Sequence, residues 1–327
     1  MKQKYEEKNE LEEPFSAPEK DDITELRSAE YGAHERTVRQ RFPEEYARWG
    51  QNLRSLREIE QAIQKRFRNR GFSKFTKALT DYALLKPGDK VAVAISGGKD
   101  SLFLAKAFQA LHRYTDYPFE VVYLSMDPGY ASENRRLLEF NCAWLNIPVT
   151  IFDSDVFEVA ETISSSTPCY LCARMRRGFL YSKAQELGCN KIALGHHFND
   201  VIETTLLNVL WSANYKNMVP KLKSQNFKGM ELIRPLYYVE EKTIVDWRDF
   251  AGLQALDCAC VVTKRKEGSK RRQIKELIAE LKKTNPNVDK SIFRSGENVA
   301  LDAILGITYE GKKHSFLEFY EEKPWTF

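Results

Sequence analysis

The run Val91-Ala92-Val93-Ala94-Ile95 leads straight into Ser96-Gly97-Gly98-Lys99-Asp100-Ser101. A short β-branched strand pattern meets a tight Gly-Gly turn, and a helix-compatible stretch follows from Leu102 to Leu111. That order places backbone N–H groups at a helix N-terminus, which is a ready anion site. The glycines let a phosphate approach the backbone closely. The Ser96 and Ser101 hydroxyls can donate to its oxygens, and Lys99 can neutralise its charge. The spacing is not that of the P-loop, which needs four residues between its first Gly and its Gly-Lys pair. A plain strand-to-helix turn would account for the glycines but not for the Ser, Lys and Asp around them.

On either side of this stretch, strands and helices alternate. Strands are expected at 90–95, Phe119–Ser125, Val149–Phe152 and Lys191–Gly195. Helices are expected at about 99–113, 131–145, 174–187 and 200–211. This alternation predicts an α/β fold with a doubly wound parallel sheet, extended by helical N-terminal and C-terminal regions. Ligands of such sheets sit beyond the carboxyl ends of the strands. The 96–101 loop, Ser125-Met126-Asp127 and Gly195-His196-His197 all fall there, so one crevice is expected to gather them. The organisation read from the chain is an acidic disordered tail over 1–25, a helical region over 26–84, a catalytic domain over 85–240 and a helical, basic region over 241–327. The strand signal fades after about 240.

Of the 327 residues 43% are hydrophobic and 29% charged, as in soluble globular proteins. No apolar run reaches the roughly 18 residues of a membrane span, and the polar N-terminus lacks a signal-peptide core; a cytoplasmic location is expected. The net charge of +4 does not by itself argue for nucleic acid. Basic residues do cluster, at Arg54–Arg70, at Arg174, Arg176 and Arg177, and at Lys264, Arg265, Lys266, Lys270, Arg271 and Arg272. Each cluster alone reads as a solvated face; together, beside a phosphate loop, they favour an RNA substrate.

There are six cysteines. Cys169 and Cys172 form a C-x-x-C just before the helix expected at 174, where the helix dipole and nearby arginines stabilise thiolates. The pair suits a redox couple, half a zinc site or two ligands of an iron–sulfur cluster. Cys258 and Cys260 supply further thiolates; four cysteines could close a zinc site, and three could hold a cluster with one iron open to a non-protein ligand. Cys142 and Cys189 read as core. Asp200, near a helix N-terminus, could be a cap, but beside a phosphate loop it suits Mg²⁺ or the orientation of a nucleophile. Arg234, in Ile233-Arg234-Pro235-Leu236, suits a phosphate or carboxylate.

From about residue 52 to 300 these stretches resemble the bacterial tRNA 2-thiocytidine synthetase family, within the superfamily that splits ATP between its α- and β-phosphates. The resemblance rests on SGGKDS at 96–101, CYLCARMRRGFLY at 169–181, ELGCNKIALGHHFNDVIET at 186–204, VPKL at 219–222 and IRPL at 233–236. It implies an enzyme that adenylates the C2 oxygen of an anticodon-loop cytidine with ATP and replaces it with sulfur from a cysteine desulfurase or other donor, through a [4Fe-4S] cluster. Carried onto this chain, Ser96, Gly97, Gly98, Lys99, Asp100 and Ser101, with Ser125, Gly195 and His196, would bind ATP. Asp100 would help hold Mg²⁺. Cys169 and Cys172 would be cluster ligands, with the third from Cys258 or Cys260. The family has Asp-Asp after its His-His pair, whereas this chain has Asn199-Asp200, which leaves Asp200 as the candidate carboxylate. The family's late C-x-x-C is here C-x-C, and Cys258 best matches its first cysteine.

Other readings remain open at this level. They are a sulfurtransferase acting on a uridine or a small molecule, and a non-catalytic iron–sulfur or RNA-binding paralogue. The intact loop weighs against the last, since mere binding does not require Asp100. The charged, amphipathic N-terminal segment is compatible with homodimer contacts or with tRNA docking.

Overall fold

A computed structural model describes residues 24–115, 117–154, 168–256 and 270–320. The acidic tail, apart from its last two residues, lies outside them, as do Cys258, Cys260, Lys264, Arg265 and Lys266. Helices α1 (Thr24–Arg41), α2 (Pro43–Trp49), α3 (Leu56–Gln64) and α4 (Ser73–Asp81) come first. Then follow β1 (Lys90–Ala94), α5 (Lys99–Tyr114), β2 (Glu120–Asp127), α6 (Ser132–Trp144), β3 (Val149–Asp153), α7 (Pro168–Glu186), β4 (Lys191–Ala193) and α8 (Phe198–Ser212). Next are β5 (Lys221–Lys223), β6 (Glu231–Ile233) and α9 (Glu241–Ala251). The described chain ends with α10 (Lys270–Thr284), α11 (Val288–Ser295), β7 (Gly306–Tyr309), β8 (Lys312–Ser315) and α12 (Leu317–Tyr320). None of the described helices is long and apolar enough to cross a membrane.

The chain divides into two compact units, Met1–His197 with Pro220–Arg265, and Phe198–Val219 with Lys266–Phe327. The first holds a sheet of order β3-β2-β1-β4-β6-β5. Its pairings are parallel except for β5, which runs antiparallel to β6 at the edge. The doubly wound sheet expected from the alternation is therefore present. Val91, Ala92 and Val93 are fully buried, as a central strand covered on both faces requires. Strand β1 pairs with β2 on one side and β4 on the other, so the winding reverses there and a crevice opens at the carboxyl ends of β1 and β4.

Helix α5 fixes that end of the sheet. Every residue from Ser101 to Phe108 is buried, and Phe103 meets Trp247 of α9 edge-on with ring centroids 5.3 Å apart. Each such fully buried apolar side chain contributes about 1.5–3 kcal/mol by leaving water. Helix α3, started by a Ser55–Glu58 capping box, buries Leu56, Ile59 and Ile63 against the same helix. An ionic link joins them. Lys106 Nζ contacts Glu60 Oε1 at 2.7 Å, Gln109 Oε1 at 2.6 Å and the Leu145 carbonyl at 3.0 Å. Burial pushes the Lys106 ammonium down to about 8 although Glu60 opposes it. Burial likewise works against the Glu60 carboxylate, but Lys106 and Arg113 outweigh it and hold it at about 2.

In the second unit α8, α10 and α11 pack together, with Ile274 and Ile278 buried and Phe198 stacked on Phe293 at 4.9 Å. The β7–β8 hairpin turns at Glu310 and Gly311, both at positive φ. This hairpin is not among the sequence expectations; helix α9 falls within the region read as helical after 240 without having been delimited there, and β5 and β6 lie within a region read only as far as its motifs. Cys142 and Cys189 are buried free thiols, as expected; burial raises the first to about 12 and the second to about 11.

Candidate active site

The turn after β1 is built by its glycines and its second serine. Gly97 has φ +79°, a conformation open to glycine, and a Cβ there would lie 2.6 Å from Leu256 Cδ1. Gly98, in extended backbone, is the N-cap of α5, and no side chain caps that helix. Buried Ser101 staples the turn: its hydroxyl donates to the Gly98 carbonyl at 2.8 Å and accepts from the Ser96 N–H at 3.2 Å and the Ser96 hydroxyl at 3.3 Å. The Ser96 hydroxyl in turn accepts from the Gly98 N–H at 3.4 Å. Beyond the turn, the Leu256 N–H donates to the Gly97 carbonyl at 3.0 Å.

Lys99 and Asp100 stand on the first turn of α5. Lys99 Nζ lies 3.3 Å from Asp100 Oδ2 and 3.2 Å from Glu241 Oε1. Partial burial lowers the Lys99 pKa, but the two carboxylates outweigh it and hold it above the usual lysine value, so it is a cation throughout the physiological range. The chain after β4 runs against this turn. A Cβ on Gly195 would meet Asp100 and Ser101 backbone atoms at 3.1–3.2 Å, so an added side chain would press on the turn. Buried His197 places Nε2 3.7 Å from Asp100 Oδ1. Ser125, at the carboxyl end of β2, is fully buried, and its hydroxyl has no hydrogen-bond partner.

The sheet thus brings the 96–101 turn, Gly195 and the His pair together at the carboxyl ends of β1 and β4, with Ser125 at the same end of β2. Arg234 follows β6 at that end and is buried; its charge and that of Arg177 both bear on Tyr181. Two partners had no motif: Glu241, which pairs with Lys99 from α9, and Leu256, which closes on Gly97.

The cysteine pair needs a correction. Helix α7 begins at Pro168, not at 174, so positions 169 and 172 are one turn apart on its first turns rather than ahead of it. Pro168 at the first helical position was the signal, since a proline there loses no helical hydrogen bond. Arg174, Arg176 and Arg177 continue the same helix. In the second unit Asp200 stands on the first turn of α8. Arg271 Nε lies 3.1 Å from Glu203 Oε2, and the same guanidinium lies 3.5 Å from Asp200 Oδ1. Exposed Arg272 pairs with Glu276 along α10 at 3.0 Å.

A PP-loop domain model matches residues 65–257. The tRNA-cytidine(32) 2-sulfurtransferase of Geobacter sulfurreducens is 36% identical over 225 residues, 68% of this chain and 87% of that protein. Its namesake in Pseudomonas putida is 34% identical over 240 residues, 73% of this chain and 85% of that one. Among solved structures, the U34-tRNA thiolase NcsA from Methanococcus maripaludis with its [4Fe-4S] cluster aligns with a TM-score of 0.57 at 22% identity, over 71% of this chain and 78% of that one; the likeness is one of fold.

Proposed function

Because the chain belongs to the tRNA-cytidine(32) 2-sulfurtransferase family of PP-loop transferases, we propose that it thiolates a tRNA cytidine in an ATP-dependent, two-stage reaction. The observation that carries this reading is the N-terminus of α5, stripped of side chains by Gly97 and Gly98 and furnished with Lys99 and Asp100. Those residues fit a triphosphate: helix N–H groups and a lysine face its charge, and one carboxylate with phosphate oxygens and water is the usual ligand set of Mg²⁺. The partnerless Ser125 hydroxyl offers a further polar contact for the nucleotide.

In the first stage the C2 oxygen of the cytidine attacks the α-phosphorus of ATP. A new P–O bond forms, the α–β bridge breaks, and pyrophosphate is held by Ser96–Ser101. The turn and Lys99 stabilise the charge that gathers on the leaving phosphates, which is where preorganised donors lower a barrier most. In the second stage sulfur displaces AMP at C2. A [4Fe-4S] cluster on Cys169, Cys172 and Cys258 or Cys260 would leave one iron open and supply the sulfur in nucleophilic form.

Asp200 is the candidate to hold Mg²⁺ or to orient the nucleophile, and His196 is a candidate nucleotide contact. Arg174, Arg176 and Arg177, with Lys264, Arg265, Lys266, Lys270, Arg271 and Arg272, are the candidate tRNA contacts, with a cysteine desulfurase or other donor supplying sulfur in the cytoplasm. Nucleoside mass spectrometry of tRNA from a deletion strain tests the assignment. Loss of 2-thiocytidine, restored by the wild-type chain but not by an Asp100→Asn variant, is expected. Unchanged nucleosides would redirect the activity to a small-molecule acceptor, and loss of a thiouridine to a uridine.

A further inference from the structure

Two carboxylates share the one cation of the phosphate turn. Asp100 is the chain neighbour of Lys99, whereas Glu241 arrives from the first turn of α9. The Lys99 and Glu241 side chains are 20% and 21% exposed, so water and salt screen this pair less than a surface pair. Helix α9 presents Glu241 from a fixed place. Trp247 is fully buried against Phe103, the preceding Glu240 is tied to Lys74 at 2.8 Å, and Gly252 ends the helix in the left-handed conformation. Leu256, a turn beyond, is bonded to Gly97.

The geometry points to Glu241 as the positioning residue of the phosphate turn: it draws Lys99 partly away from Asp100 and so leaves the Asp100 carboxylate able to take the divalent cation that accompanies the nucleotide. This rests on the reading of the turn as an ATP site. An ammonium seated wholly on Asp100 would neutralise that ligand. With Glu241 present, two carboxylates face the ammonium of Lys99, one negative charge more than Asp100 alone would bring to the turn. That charge attracts Mg²⁺ and repels metal-free ATP. Glu241 therefore makes nucleotide binding depend on the metal, through charge and not through contact with the reacting atoms.

The full-length chain is titrated with ATP by calorimetry in EDTA and again in excess Mg²⁺. One unit charge at roughly 8 Å and an effective dielectric of about 30 changes a binding constant about tenfold. Glu241→Gln is thus expected to bind metal-free ATP about tenfold more tightly than wild type, and to gain about tenfold less from Mg²⁺. Glu241→Asp, which keeps the charge, is expected to retain the wild-type pattern. A folded Glu241→Gln chain whose two constants stay within twofold of wild type overturns the inference. So does an equal weakening in both buffers, which is what mere loss of a helix-end carboxylate would give. Should the glutamine variant fail to fold, Lys99→Gln provides the complementary reading: with no ammonium to share, the gain from Mg²⁺ is expected to grow, and a smaller gain overturns the inference. A wild-type chain that binds ATP in neither buffer overturns the ATP site itself, a different failure from the ones above.

Discussion

The Leu256 N–H donates to the Gly97 carbonyl at 3.0 Å, and the Leu256 side chain occupies the space a Cβ on Gly97 would need. The left-handed backbone of Gly97 and the packing above it are thus one arrangement. Gly97→Ala asks for both a positive φ, which costs an alanine about 1 kcal/mol, and a shift of Leu256. The expected result is a chain destabilised by about 1–3 kcal/mol that binds ATP at least tenfold more weakly. Gly88→Ala is the control: its φ is also positive, at +81°, but nothing lies within 4 Å of the added carbon. It should lose comparable backbone stability and leave ATP affinity unchanged. Equal nucleotide affinities in the two variants would show that the Leu256 contact does not shape the turn.

Ser101 offers a second test of the turn. Its buried hydroxyl serves the Ser96 N–H and the Gly98 carbonyl at once, so Ser101→Ala leaves polar groups beneath the loop without this partner. Losing a buried partner costs roughly 1–3 kcal/mol. Ser101→Thr keeps the hydroxyl and is expected to recover part of the loss. Denaturant unfolding of the two variants measures the difference, and an alanine variant as stable as wild type would remove the staple from the account.

Much of this turn was legible in the sequence because its signals are local. Val91-Ala92-Val93 announces a strand buried on both faces, and two glycines before a lysine announce an anion turn at a helix start. Other parts were illegible for equally physical reasons. Strands β5 and β6 span three residues each, Lys221–Lys223 and Glu231–Ile233, too few for an alternation to register. Glu241 carries no motif, since its role arises only when α9 packs on α5 and brings it to a lysine far earlier in the chain. Tyr309-Glu310-Gly311-Lys312 holds a turn signal in its glycine, but the strand that follows, Lys312–Ser315, carries no apolar alternation to mark it as a strand. Helix α7 starts at Pro168, six residues before the start expected at 174, and the proline at its first position marks that start.

The Glu60–Lys106 pair predicts the acid limb of the stability profile. Glu60 titrates near 2 in the folded chain and at about 4.5 when unfolded, so the unfolded state binds more protons between those values. The stability it contributes is complete above about pH 4.5 and is lost as pH falls toward 2. Glu60→Gln should flatten that limb. At pH 7 it should also destabilise the chain by up to roughly 3–5 kcal/mol, because Lys106 loses the carboxylate that opposes the effect of its burial and must either stay a poorly paired cation or give up its proton. Adding Lys106→Met to Glu60→Gln should restore much of the loss. Urea unfolding from pH 3 to 7 reads both effects, and an unchanged slope in Glu60→Gln would assign the acid limb to other carboxylates.

Cys169 and Cys172 lie one helical turn apart at the start of α7 and away from the stapled turn in sequence, so sulfur handling and nucleotide binding should separate by mutation. Wild-type chain purified without oxygen is expected to be brown, with about four irons per chain for a single [4Fe-4S] cluster. Cys169→Ala should lose most of that iron and abolish thiolation while its affinity for ATP stays within about twofold of wild type. Cys258→Ala and Cys260→Ala then identify the third ligand, since only one of them should shed iron as Cys169→Ala does. A colourless wild-type chain carrying stoichiometric zinc would refute the cluster, because a closed four-thiolate zinc site leaves no open position from which sulfur could be passed on.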